Sequence, residues 1–423
     1  MAELGERAVV RRLHERFGFG PRPGELAVGF EATVDRLLGA SAGVGGAEPP
    51  VLREVAKVAK ADRQGRRAAA RQRAEDERAL TWWWVDRMAS VDVPAVERLA
   101  WFWHGHFATS EQKVRSPRLM LAQNETFRKL GAGPFAPLAK AMITDPAMLV
   151  WLDGNDNRVG SPNENLAREF LELFALGIGH YTEQDVRESA RALTGWTVRR
   201  DTGDARLATS RRDTGDKQIL GRHGDFTAES FVDLVLSRPE SARFVVGRLW
   251  ARLVSATPPD DATTARLVAA HGTDTRSVLR AIAHEPAFHD SATTLVKQPV
   301  EWLVGLLRAL DVKTSTMDGK TVARLGAGLR GMGQLPFRPP SVGGWAAGGA
   351  WLTTAAGLAR LDVARLVAGH ADLHAVDGIE SVGALLGVDT WSDRTAAALR
   401  TVAADPAQLV AIAACAPEYV VST

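Results

Sequence analysis

Cysteine is almost missing from this sequence. Cys415 is the only one in 423 residues, which excludes a disulfide framework and a Cys-ligated zinc site within one chain. Any metal must then be held by histidine and oxygen ligands. A thiol so near the C-terminus is not expected to be a nucleophile. Long apolar runs are absent too: none reaches about 18 residues, so no membrane-spanning helix is expected. The first twenty residues, MAELGERAVVRRLHERFGFG, lack the apolar stretch of a signal peptide. The sequence as it stands therefore predicts a cytoplasmic protein. Neither sign of charge dominates. The 52 basic and 50 acidic residues leave a formal +2, which gives no electrostatic footprint for nucleic acid. Lysine is scarce, 9 against 43 arginines. High-GC coding explains that ratio, and so does a need to bind anions bidentately. The chain carries no P-loop, GxSxG elbow, HExxH, CxxC or strand-to-helix GxGxxG. Nucleotide-dependent and serine-hydrolase chemistry are therefore weakly supported.

Leu and Ala recur at spacings of three and four, with Arg and Glu between them. That periodicity predicts a mainly α protein, a large irregular multi-helix assembly. Helices are expected around 9–16 and 32–38 and over 51–90, then at 116–130, 135–143, 163–176 and 182–194. Further helices are expected at 227–236, 239–254, 260–271, 274–285 and 298–310. Gly/Asp turns between short β-like stretches predict a small β-hairpin excursion near 196–222. The basic stretch within 53–78 reads as a solvated helix face or a docking face. Gly/Pro-rich residues 331–349 predict irregular backbone packed by aromatics. There Gln334, Arg338, Trp345 and Trp351 could form a cleft wall.

Three constellations could carry chemistry. The first is His104-Gly-His106 among tryptophans. On an extended segment both imidazoles face one way and could bind a transition metal. On a helix they point about 200° apart and cannot. The second is the loop from Asp153 to Glu164. Its oxygen-bearing side chains at Asp153, Asn155, Asn157, Ser161 and Glu164 follow the spacing of a calcium loop. Arg158 stands where that turn wants glycine, so a plain helix-to-helix turn is the alternative. The third is the helix from Asn163, where Arg168 can pair with Glu164 and Glu172 at i, i+4 and i+8. Glu169 points elsewhere. Either Glu164 or Glu169 could serve as metal ligand or general base, and a structural ion-pair ladder is the alternative. Further on, Thr182 and Asp185 read as a near capping box, which explains them structurally. His180 is an additional weak ligand candidate.

Several blocks resemble the bacterial family known as domain of unknown function 1800. They include Arg16-Phe-Gly-Phe-Gly-Pro, Trp103-His-Gly-His-Phe107, Asn163-Glu-Asn-Leu-Ala-Arg-Glu169, Ala190-Arg-Ala-Leu-Thr-Gly-Trp196, Lys297-Gln-Pro-Val-Glu301, Met332-Gly-Gln and Pro339-Pro-Ser-Val-Gly-Gly-Trp345. The resemblance implies one integrated domain over 1–423. Within it, residues 1–90 read as a helical extension, 196–222 as a hairpin insertion and 223–423 as a C-terminal helical part. The resemblance implies no established activity. It also implies that many members are exported, and it suggests an alkaline-phosphatase-like partner protein encoded nearby. One departure is Arg212-Asp213, where members often carry His-Asp. Two readings follow: a metal-dependent enzyme using His104, His106 and the 163–172 carboxylates, or a non-catalytic helical binding or scaffold protein, with a cation at 153–164 as a possible stabiliser.

Overall fold

In the computed structural model, residues 3–39, 46–53, 62–199 and 202–423 are described. Among them, helices dominate and strands form only three two-stranded sheets. The expected mainly α fold is what is found. Helix boundaries follow local chemistry. Glu183–Ala192 begins with Thr182 and Asp185 in a reciprocal capping box, as the sequence suggested. Asp145, Asp260, Asp274 and Asp318 cap four other helices through their carboxylates. The basic helix occupies Arg63–Ser90, and residues 54–61 of the expected 51–90 span lie outside the described residues.

Two expectations need correction in detail. The 196–222 excursion holds two hairpins, not one: Trp196–Arg199 pairs with Asp204–Leu207, and Lys217–Ile219 pairs with Arg222–Gly224. The helix expected over 163–176 is α-helical only at Asn165–Glu169 and widens to a π-helix at Phe170–Ala175. The amide of Leu176 bonds to the carbonyl of Leu171, an i→i−5 link. A third sheet was not foreseen. Leu295–Val296 pairs with Val421–Ser422, stapling the chain's end to its middle. Two-residue strands are too short to show alternation in sequence.

The core is one continuous cluster reaching from Val9 to Val420, with Trp84, Trp103 and Trp302 fully enclosed. At its centre runs the helix Ala95–His106. It packs on Pro117–Leu130 and on the Arg63–Ser90 helix. Among the described residues no helix is long and apolar enough to cross a membrane.

Candidate functional site: a cationic cleft beside the central helix

The central helix continues through Gly105 to His106, so the extended geometry required for joint ligation is not formed. His104 sits in a cage of Trp84, Trp101, Phe127, Phe337 and Trp345. Its Nε2 accepts the Phe337 N–H at 3.0 Å. His106 lies in a different cage, stacked on Phe102 and edged by Trp103, Phe107 and Phe135. Its Nε2 donates to the Phe174 carbonyl at 2.8 Å, and its Nδ1 has no partner among the described residues. Burial holds both imidazoles neutral, each pushed down to about 3.

The loop from Asp153 distributes its oxygens among separate partners. Asp153 faces Lys113 at 2.7 Å. Asn155 Nδ2 donates to Asp156. Asn157 is buried, accepting the Asn163 N–H and donating to the Ala190 carbonyl. It therefore clips the turn to a neighbouring helix.

The ion-pair ladder differs from expectation. Arg168 pairs with Glu164 at 3.0 Å and with Glu183 at 2.7 Å, not with Glu172. The π-turn rotates Glu172 away, and it accepts the Tyr181 hydroxyl at 2.7 Å. Glu169 is raised by partial burial and by Glu172 beside it. No hydrogen bond or ion pair joins Glu164 or Glu169 to either histidine. Among the described residues, no group of three or more His, Cys, Asp or Glu is placed to hold a metal.

The polar residues that do converge lie beside another side of the same helix. Arg98, Trp101, Phe102 and Gly105 face Arg252 and Leu253 of the helix Pro239–Leu253, the start of the helix Pro299–Ala309, and Trp345. Two adjoining recesses of about 40 and 20 Å³ share Arg98, Arg252, Gln298 and Glu301. Glu15, Arg16 and Lys297 complete the larger one. The segment 344–345 is pressed onto the helix. Gly344 has φ 81°, and a Cβ there would strike the Gly105 carbonyl. Trp345 stacks on Trp101 with ring centroids 5.1 Å apart.

Side chains in the cleft are held from behind. Arg98 pairs with Glu301 and donates to the Arg16 carbonyl. Gln334 donates to Gln298 Oε1 at 2.6 Å and accepts the Val300 N–H. Lys297 pairs with Glu15 at 2.8 Å, and Arg11 reaches the same carboxylate. Burial pushes Glu15 up, but Arg11 and Lys297 outweigh it and hold the acid at about 2. Arg16 donates to the carbonyls of Val254, Thr293 and Ser422, none of them charged. Among the described residues, Arg252 likewise hydrogen-bonds to the carbonyls of Trp345 and Ala346, with Glu301 near enough to act on its charge. One turn earlier on the helix, Arg248 Nε has no partner among the described residues. Burial lowers Lys297, Arg248 and Arg252. The cleft lining thus holds four cations, Arg16, Arg98, Arg252 and Lys297, against two anions, Glu15 and Glu301. Of the cleft wall expected from residues 331–351, Trp345 lines the cleft and Gln334 braces it. Arg338 instead pairs with Glu77.

Fold and site together define a mainly α-helical protein with a half-buried cationic cleft. The model of the family described as "Protein of unknown function (DUF1800)" matches residues 12–421, so the chain belongs to that family. No curated protein and no solved structure matches the chain.

Proposed function

We propose that the chain is a binding protein that takes a small anion, or the anionic group of a larger ligand, into the cleft between Arg98, Arg252 and Lys297. The observation that carries this reading is the excess of two cations in the cleft lining. Among the described residues, the hydrogen bonds of Arg252 go to carbonyls, and Glu301, which already pairs with Arg98, is the carboxylate that acts on it. A buried charge without a counter-charge is costly, and an entering anion offsets that cost while gaining charge-assisted hydrogen bonds. Size narrows the ligand. Recesses of about 40 and 20 Å³ admit a carboxylate or phosphate group, not a whole substrate. The aromatic wall of Trp101, Phe102 and Trp345 lowers the local dielectric and strengthens each contact.

Thermal unfolding in low-salt buffer tests the reading. Acetate, phosphate and sulfate are added one at a time, with a non-binding salt at equal ionic strength as control. At a concentration 100 times its Kd, a bound anion adds about 2.7 kcal/mol. The midpoint should rise by a few degrees with at least one of them. That rise should vanish in Arg252→Gln. No rise with any of the three, in a cooperatively folded protein, contradicts the proposal.

A further inference from the structure

We infer that the first three turns of the helix Arg63–Ser90 bind double-stranded DNA, lying in the major groove with their arginines on the flanking phosphates.

The near-neutral total charge hides one strongly basic stretch. Arg63, Arg66, Arg67, Arg71 and Arg73 fall within eleven residues that hold no Asp, Glu or Lys. No residue from Arg63 to Glu75 is buried, and Arg63, Arg66, Arg67 and Arg71 are exposed. The acids that follow are already engaged. Glu75 and Asp76 face Arg53, and Glu77 pairs with Arg338. Arg73 lies 3.7 Å from Glu77. Among the described residues, the other four arginines have no carboxylate partner. At about 100° per residue the five side chains fan over about 160° of the helix circumference. Exposed Ala70 lies within that fan, while partly buried Gly65, Ala69 and Gln72 lie on the opposite side. The body of the protein therefore holds the small neutral side, and the cations face outward.

This placement costs helix stability. Cations in the first turns oppose the positive end of the helix dipole, and no acid stands in the first turn to offset them. Arg63, Arg67 and Arg71 are like charges at successive i, i+4 positions. A bound polyanion relieves both penalties.

The side chains between the arginines select the polyanion. From Arg63 to Ala79 there is no Leu, Ile, Val, Met, Phe, Tyr or Trp. A protein partner takes hold through aromatic or aliphatic anchors buried at the centre of an interface. A bilayer takes hold of apolar side chains inserted among its lipids. This helix offers neither. Phosphates need no such anchor, because release of condensed counterions supplies the affinity. Double-stranded DNA also fits the shape. Its major groove is about 12 Å wide and admits a helix, with a row of phosphates on either side for a fan of arginines to reach. Small Ala70 lets the helix approach the groove floor.

Fluorescence anisotropy of the full chain with a labelled DNA duplex lacking terminal phosphates tests this. It is run beside the quadruple variant Arg63→Gln/Arg66→Gln/Arg67→Gln/Arg71→Gln and beside Arg252→Gln, which alters the cleft alone. Four neutralised phosphates predict a log–log salt slope of about −3.6, so affinity should fall roughly a hundredfold from about 50 to about 200 mM KCl. The quadruple variant should bind at least tenfold more weakly, with a flatter salt slope and an unchanged or higher urea midpoint, since every altered side chain is exposed. Arg252→Gln should bind the duplex as the parent does. The inference is overturned if the duplex fails to bind at the lower salt, if the quadruple variant keeps the parent's affinity, or if Arg252→Gln abolishes binding. Equal affinity for polyglutamate would point to an acidic protein partner and also overturn it. So would pelleting with phosphatidylglycerol vesicles without duplex binding. Equal affinity for single strands or for double-stranded RNA would remove the groove and overturn the assignment to DNA.

Discussion

The central helix Ala95–His106 presents two different kinds of chemistry. Around Trp103, His104 and His106 it is dry and aromatic. Each imidazole Nε2 is tied to a backbone group, and burial keeps the rings uncharged. Around Arg98 it is ionic, and cations outnumber carboxylates beside a small recess. Histidines flanked by tryptophans attract attention in a sequence. In the fold those rings mainly pack and hold backbone. The guanidinium groups that draw no attention in an arginine-rich chain are the ones left with unmatched charge.

The comparison can be broken from the dry side first. Trp103 is fully enclosed and its Nε1 donates to the Gly131 carbonyl at 2.8 Å. Trp103→Ala should cost about 3–5 kcal/mol in urea unfolding. His104→Ala removes a buried ring and leaves the Phe337 N–H without its acceptor, for a loss of about 2–4 kcal/mol. His104 packs on Trp101 and Trp345 of the cleft wall but is not itself in the lining, so anion affinity in that variant should fall by less than the tenfold expected of Arg252→Gln. A tenfold loss of affinity would erase the distinction between the two sides.

On the ionic side, Arg252→Gln should weaken anion binding at least tenfold. Without anion its stability should stay within about 1 kcal/mol of the parent or rise, since a buried cation with no carboxylate hydrogen bond has gone. Equal losses of stability and affinity would mean that Arg252 is simply a structural strut.

Acid acts on the buried titratable groups in opposite directions. His104 and His106 are held at about 3 and His14 at about 4, all below the unfolded value of 6.5. The unfolded chain therefore binds more protons between these limits. Their stabilisation is complete above pH 6.5 and is lost as the pH falls through 4 to 3. Asp145 runs the other way. Burial raises it to about 7 from 3.8, so its contribution falls as the pH rises from 4 to 7. A urea series across pH should show Asp145→Asn gaining stability relative to the parent as the pH approaches 7. A constant difference at all pH values would contradict this.

Much of the fold was legible. The helices Pro117–Leu130, Phe135–Ile143, Ala228–Leu236 and Asp261–His271 lie within a residue or so of where their periodicity put them. Local chemistry explains this, because caps and apolar spacing are short-range signals. The π-turn at Phe170–Ala175 was not legible. It inserts one residue into a turn whose apolar pattern still reads as α, and it moved Glu172 off the Arg168 face. The cleft was only half legible. Arg16, Lys297, Gln298, Glu301, Gln334 and Trp345 all fall in blocks that stood out in the sequence. Their meeting depends on contacts across hundreds of residues, such as Arg98 with Glu301 and Ser422 with Arg16. Arg252 lay in no such block. That its hydrogen bonds go to carbonyls, not to a carboxylate, is a property of the fold alone.

The most direct measurement is a calorimetric titration of the full chain with phosphate and with acetate at low ionic strength, run beside Arg252→Gln. The account predicts one saturable site for at least one anion, weakened at least tenfold in the variant and weakened by added salt. Absence of saturable binding to the parent, or equal affinity in the variant, would contradict the assignment of this cleft.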